Sequence, residues 1–254
     1  MKCNIQYASD LHLEFPANKE YLRQHPLQSV GDVLVLTGDI VPYAVMEKHK
    51  DFFSYVSDHF ETTYWVPGNH EYYHFDITQK SGVLFEPIRS NVFLVNNTTA
   101  VHRGVKLLFS TLWSSISPAY QWQIERGLND FRLIRHKEFR FSAERFNQLH
   151  KESLAFIKAE VKVEKDKKMA VFTHHCPTFF NYPRQYKGSV LNEAFAVELF
   201  DLIETSDIAC WVFGHHHINV PEFRIGNTRL VTNQLGYVHL GEHDLFDTKK
   251  VIEL

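Results

Sequence analysis

The chain has 254 residues, enough for one large layered domain with a substantial core. Its formal net charge of −3 excludes a basic field over the whole surface, and with it tight non-specific binding to nucleic acid along a basic face. Cys3, Cys176 and Cys210 are odd in number and irregularly spaced, which argues against a disulfide framework or a thiolate zinc site and fits a reducing cytoplasm.

No charged head followed by a long apolar segment opens the sequence, and no apolar run approaches about 18 residues, so neither secretion nor a membrane span is expected. Residues 3–9 read as a first strand that runs into Asp10 and His12, two positions apart and able to share a face in extended backbone. Val33 to Leu36 are too few for a helix and suit a strand buried on both faces, ending at Thr37-Gly38 and delivering Asp39. A helix is expected from about Glu47 to Phe60, with Phe52, Phe53, Val56 and Phe60 as its core face.

Tyr64 to Pro67 leads into Gly68-Asn69-His70-Glu71, followed by Tyr72, Tyr73 and His74 as candidate pocket walls or, equally, ordinary aromatic packing. Val92–Val95 and Val105–Ser110 read as strands separated by the turn residues Asn96-Asn97. Residues 113–168 read as a mainly helical excursion within a single domain spanning 1–254. Ser142 caps one helix there, with Phe146, Leu149, Leu154, Ile157 and Val161 apolar on one face and His150 structural.

The mixed charge run Lys158–Lys168 reads as a solvated helix end and loop. Met169–Thr173 is a buried strand ending in His174-His175-Cys176-Pro177, and a helix capped near Asn192 is expected to reach Glu204. Ala209–Phe213 feeds Gly214-His215-His216-His217, and a Gly226-Asn227 hairpin and an edge strand at Lys249–Glu253 close the chain.

Of the 16 histidines, an unusual share sits in short loops after apolar runs. The groups collected at these strand ends are Asp10, His12, Asp39, Asn69, His70, His174 or His175, His215 and His217. Carboxylates, imidazoles and an amide without thiolate suit Mn, Fe, Zn, Co or Ni, and the donors are too many for one ion. Two ions sharing a carboxylate answer that count, and Asp39, on the most continuously apolar strand, is the candidate bridge.

Asp10-Leu11-His12, Gly38-Asp39, Gly68-Asn69-His70-Glu71, His174-His175 and Gly214-His215-His216-His217 occur in the order found in the calcineurin-like metallophosphoesterase superfamily, which this chain resembles from residue 10 to residue 217. The resemblance implies an α+β fold of four α/β/β/α layers, a two-sheet sandwich flanked by helices. It implies one metal ion on Asp10, His12, Asp39 and His217, and a second on Asp39, Asn69, His174 (or His175) and His215. His70 would be the general acid, and water activated between the ions would attack a small phosphodiester or phosphomonoester.

Gly38-Asp39-Ile40-Val41-Pro42-Tyr43 lacks the arginine that marks the Ser/Thr protein phosphatase branch, which argues against that activity. The tail Asn233-Gln234-Leu235-Gly236-Tyr237 with Glu242 is similar to small single-domain phosphohydrolases of bacteria and phages. Arg132, Arg135, Lys137 and Arg140 raise the alternative of a nuclease within the superfamily, and a protein-binding scaffold on the same fold is a third reading. Nothing in the residues sets an oligomeric state.

Overall fold

Alternate residues of one short strand face different cores, and this sets the layering. Val33 and Val35 pack between two sheets, whereas Leu34 and Leu36 pack outward beneath helices. The computed structural model describes residues 2–163 and 168–254, so the middle of the Lys158–Lys168 charge run, residues 164–167, lies outside the described residues.

The strands are β1 (Asn4–Ala8), β2 (Val33–Thr37), β3 (Thr62–Val66), β4 (Leu84–Arg89), β5 (Val92–Asn96), β6 (Thr98–His102) and β7 (Val105–Ser110), then β8 (Arg135–His136) and β9 (Phe139–Arg140) as a separate hairpin. They continue with β10 (Met169–Thr173), β11 (Ile208–Val212), β12 (Phe223–Ile225), β13 (Thr228–Val231) and β14 (Val251–Glu253). The first sheet has the order β14-β1-β2-β3-β5-β4 and the second β12-β13-β11-β10-β7-β6. Helices α1 (Pro16–Gln24) and α2 (Lys50–His59) cover the first sheet. The helices α3 (Gln121–Gly127), α4 (Asp130–Leu133), α5 (Ala143–Val163) and α6 (Phe200–Glu204) follow. Two sheets face each other between helical layers, as the sandwich expectation required.

Three apolar cores follow from this layering. The middle one joins Ile5, Tyr7, Val33 and Val35 to Leu107, Phe109, Phe172 and Val212 across the two sheets. Helix α5 serves both outer sides: Phe146 and Leu149 enter the core over the first sheet, Leu154 and Ile157 that over the second. Ser142 caps it as expected, accepting the Arg145 N–H at 3.3 Å.

Because β1, β2 and β3 are parallel, and β7, β10, β11 and β13 are parallel, their carboxyl ends gather at shared edges of the sandwich. Loops leaving those ends build the site, as open sheets place their ligands.

Two local expectations need correction, and two strands had none. The helix expected from Asn192 to Glu204 is a 3-10 turn at Val190–Ala194, capped by Ser189, and then α6. Between them Ala196 bridges to Cys176, because Cys176 donates to the Phe195 carbonyl at 3.1 Å and accepts from the Val197 N–H at 3.0 Å. The helix expected from Glu47 begins instead as a 3-10 segment at Tyr43–His49 and becomes α-helical at Lys50. Strands β4 and β6 had no expectation. Both are sheet edges, and β4 carries Pro87 beside a register shift, a position where a missing N–H is tolerated.

Candidate metal centre

Adjacent loops are tied to one another before any side chain is considered. The Asp10 N–H donates to the Gly38 carbonyl and the His12 N–H to the Asp39 carbonyl, both at 2.9 Å, while Gly214 donates to the His174 carbonyl at 3.0 Å. Asp10, His12, Asp39, His215 and His217 all lie in left-handed backbone, with φ between 47° and 80°. The convergence of Asp10 and His12 therefore does not arise from extended backbone, as their spacing suggested, but from two turns of opposite hand to a helix. Non-glycine residues held there cost on the order of 1–3 kcal/mol each and cluster at functional sites.

Gly38 has φ +90°, and a Cβ there would come within 2.3 Å of the His174 ring. The glycine thus serves both the turn and the seating of an imidazole from the other sheet.

Side chains from both sheets meet in two adjoining groups. In the first, His12 Nε2 lies 3.0 Å from His217 Nε2 and 3.8 Å from Asp39 Oδ2, and His217 Nε2 lies 3.4 Å from Asp10 Oδ1. In the second, His174 Nε2 lies 3.1 Å from Asn69 Oδ1, 3.0 Å from His215 Nδ1 and 3.4 Å from Asp39 Oδ2. One oxygen, Asp39 Oδ2, faces both. His70 stands beside them, its N–H donating to Asp39 Oδ1 at 2.9 Å and its ring stacked on Tyr73.

His174, not His175, is the member of the doublet turned toward Asp39 and Asn69. His175 gives Nδ1 to the Thr111 carbonyl at 3.2 Å and packs among Trp113, Phe146 and the back of His215. His216 is buried, taking N–H groups from Ile218 and Gln234 on its Nδ1. His150 bonds the Leu112 carbonyl, a structural role.

The sequence profile of the calcineurin-like phosphoesterases matches residues 5–219. The chain belongs to that family. It is 30% identical over 261 aligned residues to the uncharacterized protein L509 of Acanthamoeba polyphaga mimivirus, covering 92% of this chain and 91% of the viral protein. Its fold is similar to that of a phosphopantetheinyl hydrolase from Mycobacterium tuberculosis, with a TM-score of 0.67 at 18% identity over 100% of this chain and 96% of that one. A dimetal phosphatase from Danio rerio matches with a TM-score of 0.53 at 12% identity, over 91% of this chain and 87% of that one. Family membership makes the chain a phosphoric ester hydrolase, and it supports a dinuclear metal centre at the buried His/Asp groups. Among the described residues no helix is long and apolar enough to cross a membrane.

The donor set fits such a centre in its protonation pattern. Each candidate histidine has its outer nitrogen engaged: His12 Nδ1 with Glu14 at 3.2 Å, His217 Nδ1 with Glu242 at 2.8 Å, His174 Nδ1 with the Thr37 carbonyl at 3.0 Å and His215 Nε2 with the Ala194 carbonyl at 3.3 Å. An outer N–H that donates to these oxygens leaves the inner nitrogen with a lone pair aimed into the cluster. Two such lone pairs 3.0 Å apart repel unless a proton or a cation lies between them.

Without ions, protons answer that demand. Burial pulls His217 and His174 down, but the carboxylates of Asp10 and Glu242 raise His217 to about 10, and Asp39 raises His174 to about 9. Burial pushes Asp10 and Asp39 up, and the same imidazoles hold both below the usual carboxylate range.

Four carboxylates had no assigned role in the sequence reading. Glu71 accepts the N–H groups of Asp39, Ile40 and Gly68 and the Trp65 indole at 2.7–3.0 Å, tying the loop after β2 to β3 and the loop that follows it. Burial and the nearby Asp39 raise it to about 7. Asp130 accepts from Asn69 Nδ2 and the Tyr73 hydroxyl, each at 2.8 Å, and so fixes the amide with its oxygen toward His174. Glu242 orients His217. Glu14 Oε1 serves His12 and His70 together, 3.2 Å from Nδ1 of each. Glu71 closes the Gly68-Asn69-His70-Glu71 motif, Glu242 was noted with the tail, Glu14 is the next alternate position after Asp10 and His12, and Asp130 carries no sequence signal.

The cluster forms the floor of a cavity of about 680 Å³ walled by Phe15, Tyr73, Tyr182, Tyr186, Phe195 and Tyr237, with His70, His74 and His216 also facing it. Tyr72 is instead buried core. Arg132, Arg135, Lys137 and Arg140 are not among its lining residues.

Proposed function

We infer that the chain is a dinuclear metal-dependent phosphoesterase acting on a small phosphodiester or phosphomonoester. Asp10, His12, Asp39 and His217 would hold one ion and Asp39, Asn69, His174 and His215 the other. The observation that carries this is the convergence of inner imidazole lone pairs from both sheets on the single oxygen Asp39 Oδ2. When bound, such a pair of ions supplies an activated water and holds the phosphoryl oxygens through an in-line displacement.

The chain's own groups do the rest. Asp130 and the outer carboxylates keep the ligand atoms aimed, so little reorganisation is needed. His70, held by Glu14, carries a proton for the departing oxygen; burial lowers its basicity, and Asp39 and Glu14 more than restore it, so its pKa is raised. The aromatic walls exclude water from the ester's organic part.

Loading with Mn²⁺ should give two ions per chain and turnover of bis(p-nitrophenyl) phosphate. Two bound ions with no hydrolysis of mono- or diesters would reject the reading. A second outcome follows from the raised imidazoles. His174 and His217 each hold a proton at pH 7, and ligation needs the lone pair that proton occupies, so metal binding should release close to two protons. Apparent affinity should therefore rise with pH up to about 9–10. Titration calorimetry in buffers of different ionisation enthalpy measures the release, and a buffer-independent heat would contradict it.

A further inference from the structure

The cavity above the cluster is built for an uncharged group. Among the described residues lining it there is no lysine or arginine, while Glu14, Asp39, Asp130 and Glu242 all contribute to its wall or floor. Away from the cluster, the surface is mainly the aromatic set from Phe15 to Tyr237 together with Val45, Leu128 and Leu191, with the neutral polar residues Asn129, Ser189 and Asn192 among them.

Resting on the phosphoesterase reading above, the geometry points to an ester whose organic part carries no negative charge beyond the scissile phosphate and presents an apolar or aromatic body to the walls. Hydrolysis of such a substrate breaks the P–O bond to the organic alcohol and forms one to a water oxygen, and the alcohol leaves with a proton. Bound ions would neutralise the scissile phosphate only. A second phosphate would sit against aromatic rings and carboxylates with no lysine or arginine among the described lining residues to receive it, which disfavours nucleotides bearing further phosphates and nucleic-acid strands alike.

The test is a matched pair of chromogenic esters that differ in one group: thymidine 3′-(p-nitrophenyl phosphate) with a free 5′-hydroxyl, and the same ester carrying a 5′-phosphate. With the manganese-loaded full chain, the 5′-phosphate should lower kcat/KM about tenfold or more, chiefly through KM, and raising the salt should narrow the gap. Asn129→Lys places a cation at an exposed lining position outside the metal cluster and should recover most of that loss for the phosphorylated ester alone.

Equal or faster turnover of the phosphorylated ester would overturn the inference, and would mean that Arg184 and Lys187, on the same loop as Tyr182 and Tyr186, reach in to bind it. If neither ester is cleaved with two ions bound, the phosphoesterase reading falls separately. Calorimetric binding of the same two esters then still decides the cavity's preference: tighter binding of the 5′-hydroxyl form upholds the inference, and tighter binding of the 5′-phosphate form overturns it.

Discussion

Asp39→Asn is expected to abolish stable occupancy by two ions and to reduce turnover by about 10³-fold or more, ~4 kcal/mol of lost transition-state stabilisation, without unfolding the protein. The substitution is nearly isosteric, and its oxygen can keep the 2.9 Å hydrogen bond from the His70 N–H. What changes is the atom facing the histidines. In place of Oδ2, which lies 3.8 Å from His12 Nε2 and 3.4 Å from His174 Nε2, the variant presents an amide N–H₂. Those donors can satisfy the inner lone pairs directly, so the variant removes the shared anionic ligand and also the electrostatic demand for a cation.

The pH dependence of the ion-free protein gives an independent readout. His174 is raised above its ordinary 6.5 by Asp39, so the stability it contributes is fully present below that value and is lost as pH rises through about 9. The stability difference between wild type and Asp39→Asn should therefore shrink across that window in thermal melts. Metal analysis of the loaded variant showing two ions per chain would remove Asp39 from the bridging position.

Much of this cluster was legible because the residues proposed to hold the ions follow strands buried on both faces. Val33 to Leu36 and Met169 to Thr173 are continuous apolar runs, and the polar residue that ends such a run stands out. Strands β4 and β6 escaped for the same reason in reverse, since an edge strand has one covered side and need not be apolar throughout. The helix expected at Asn192–Glu204 failed because apolar spacing is local, whereas the bridge that takes Ala196 out of it comes from Cys176.

The His174/His175 choice is of that kind too. It turns on Thr37 accepting from one ring and Thr111 from the other, contacts that cross between loops distant in sequence. Asp130 belongs to no motif and Glu242 was noted only with the tail pattern; they act through Asn69 and His217, so their positions became meaningful only when the chain was folded. Glu14 was in plain sight at Asp10-Leu11-His12-Leu13-Glu14, yet its partner His70 comes from a different loop.

His70→Ala should leave two ions bound and lower turnover of an alkyl phosphate ester by roughly 10²- to 10⁴-fold, the range for a positioned general acid. The retained metal content follows from the geometry. His70 touches the cluster through its backbone N–H on Asp39 Oδ1, which alanine preserves, while its ring is held on the cavity side by Glu14 and Tyr73. The size of the loss should depend on the leaving group. An alkoxide needs a proton as it departs, whereas p-nitrophenolate carries its own charge well, so the variant's deficit should be large for alkyl esters and small for nitrophenyl esters of the same phosphate. The sign of the pH effect is fixed by the same contacts: Asp39 and Glu14 outweigh burial and raise the imidazole, so wild-type turnover of alkyl esters should fall as pH rises through its pKa, and the variant should lose that limb. A uniform deficit across leaving groups, with the limb intact, would assign His70 a part in positioning the substrate and leave the departing oxygen to another donor.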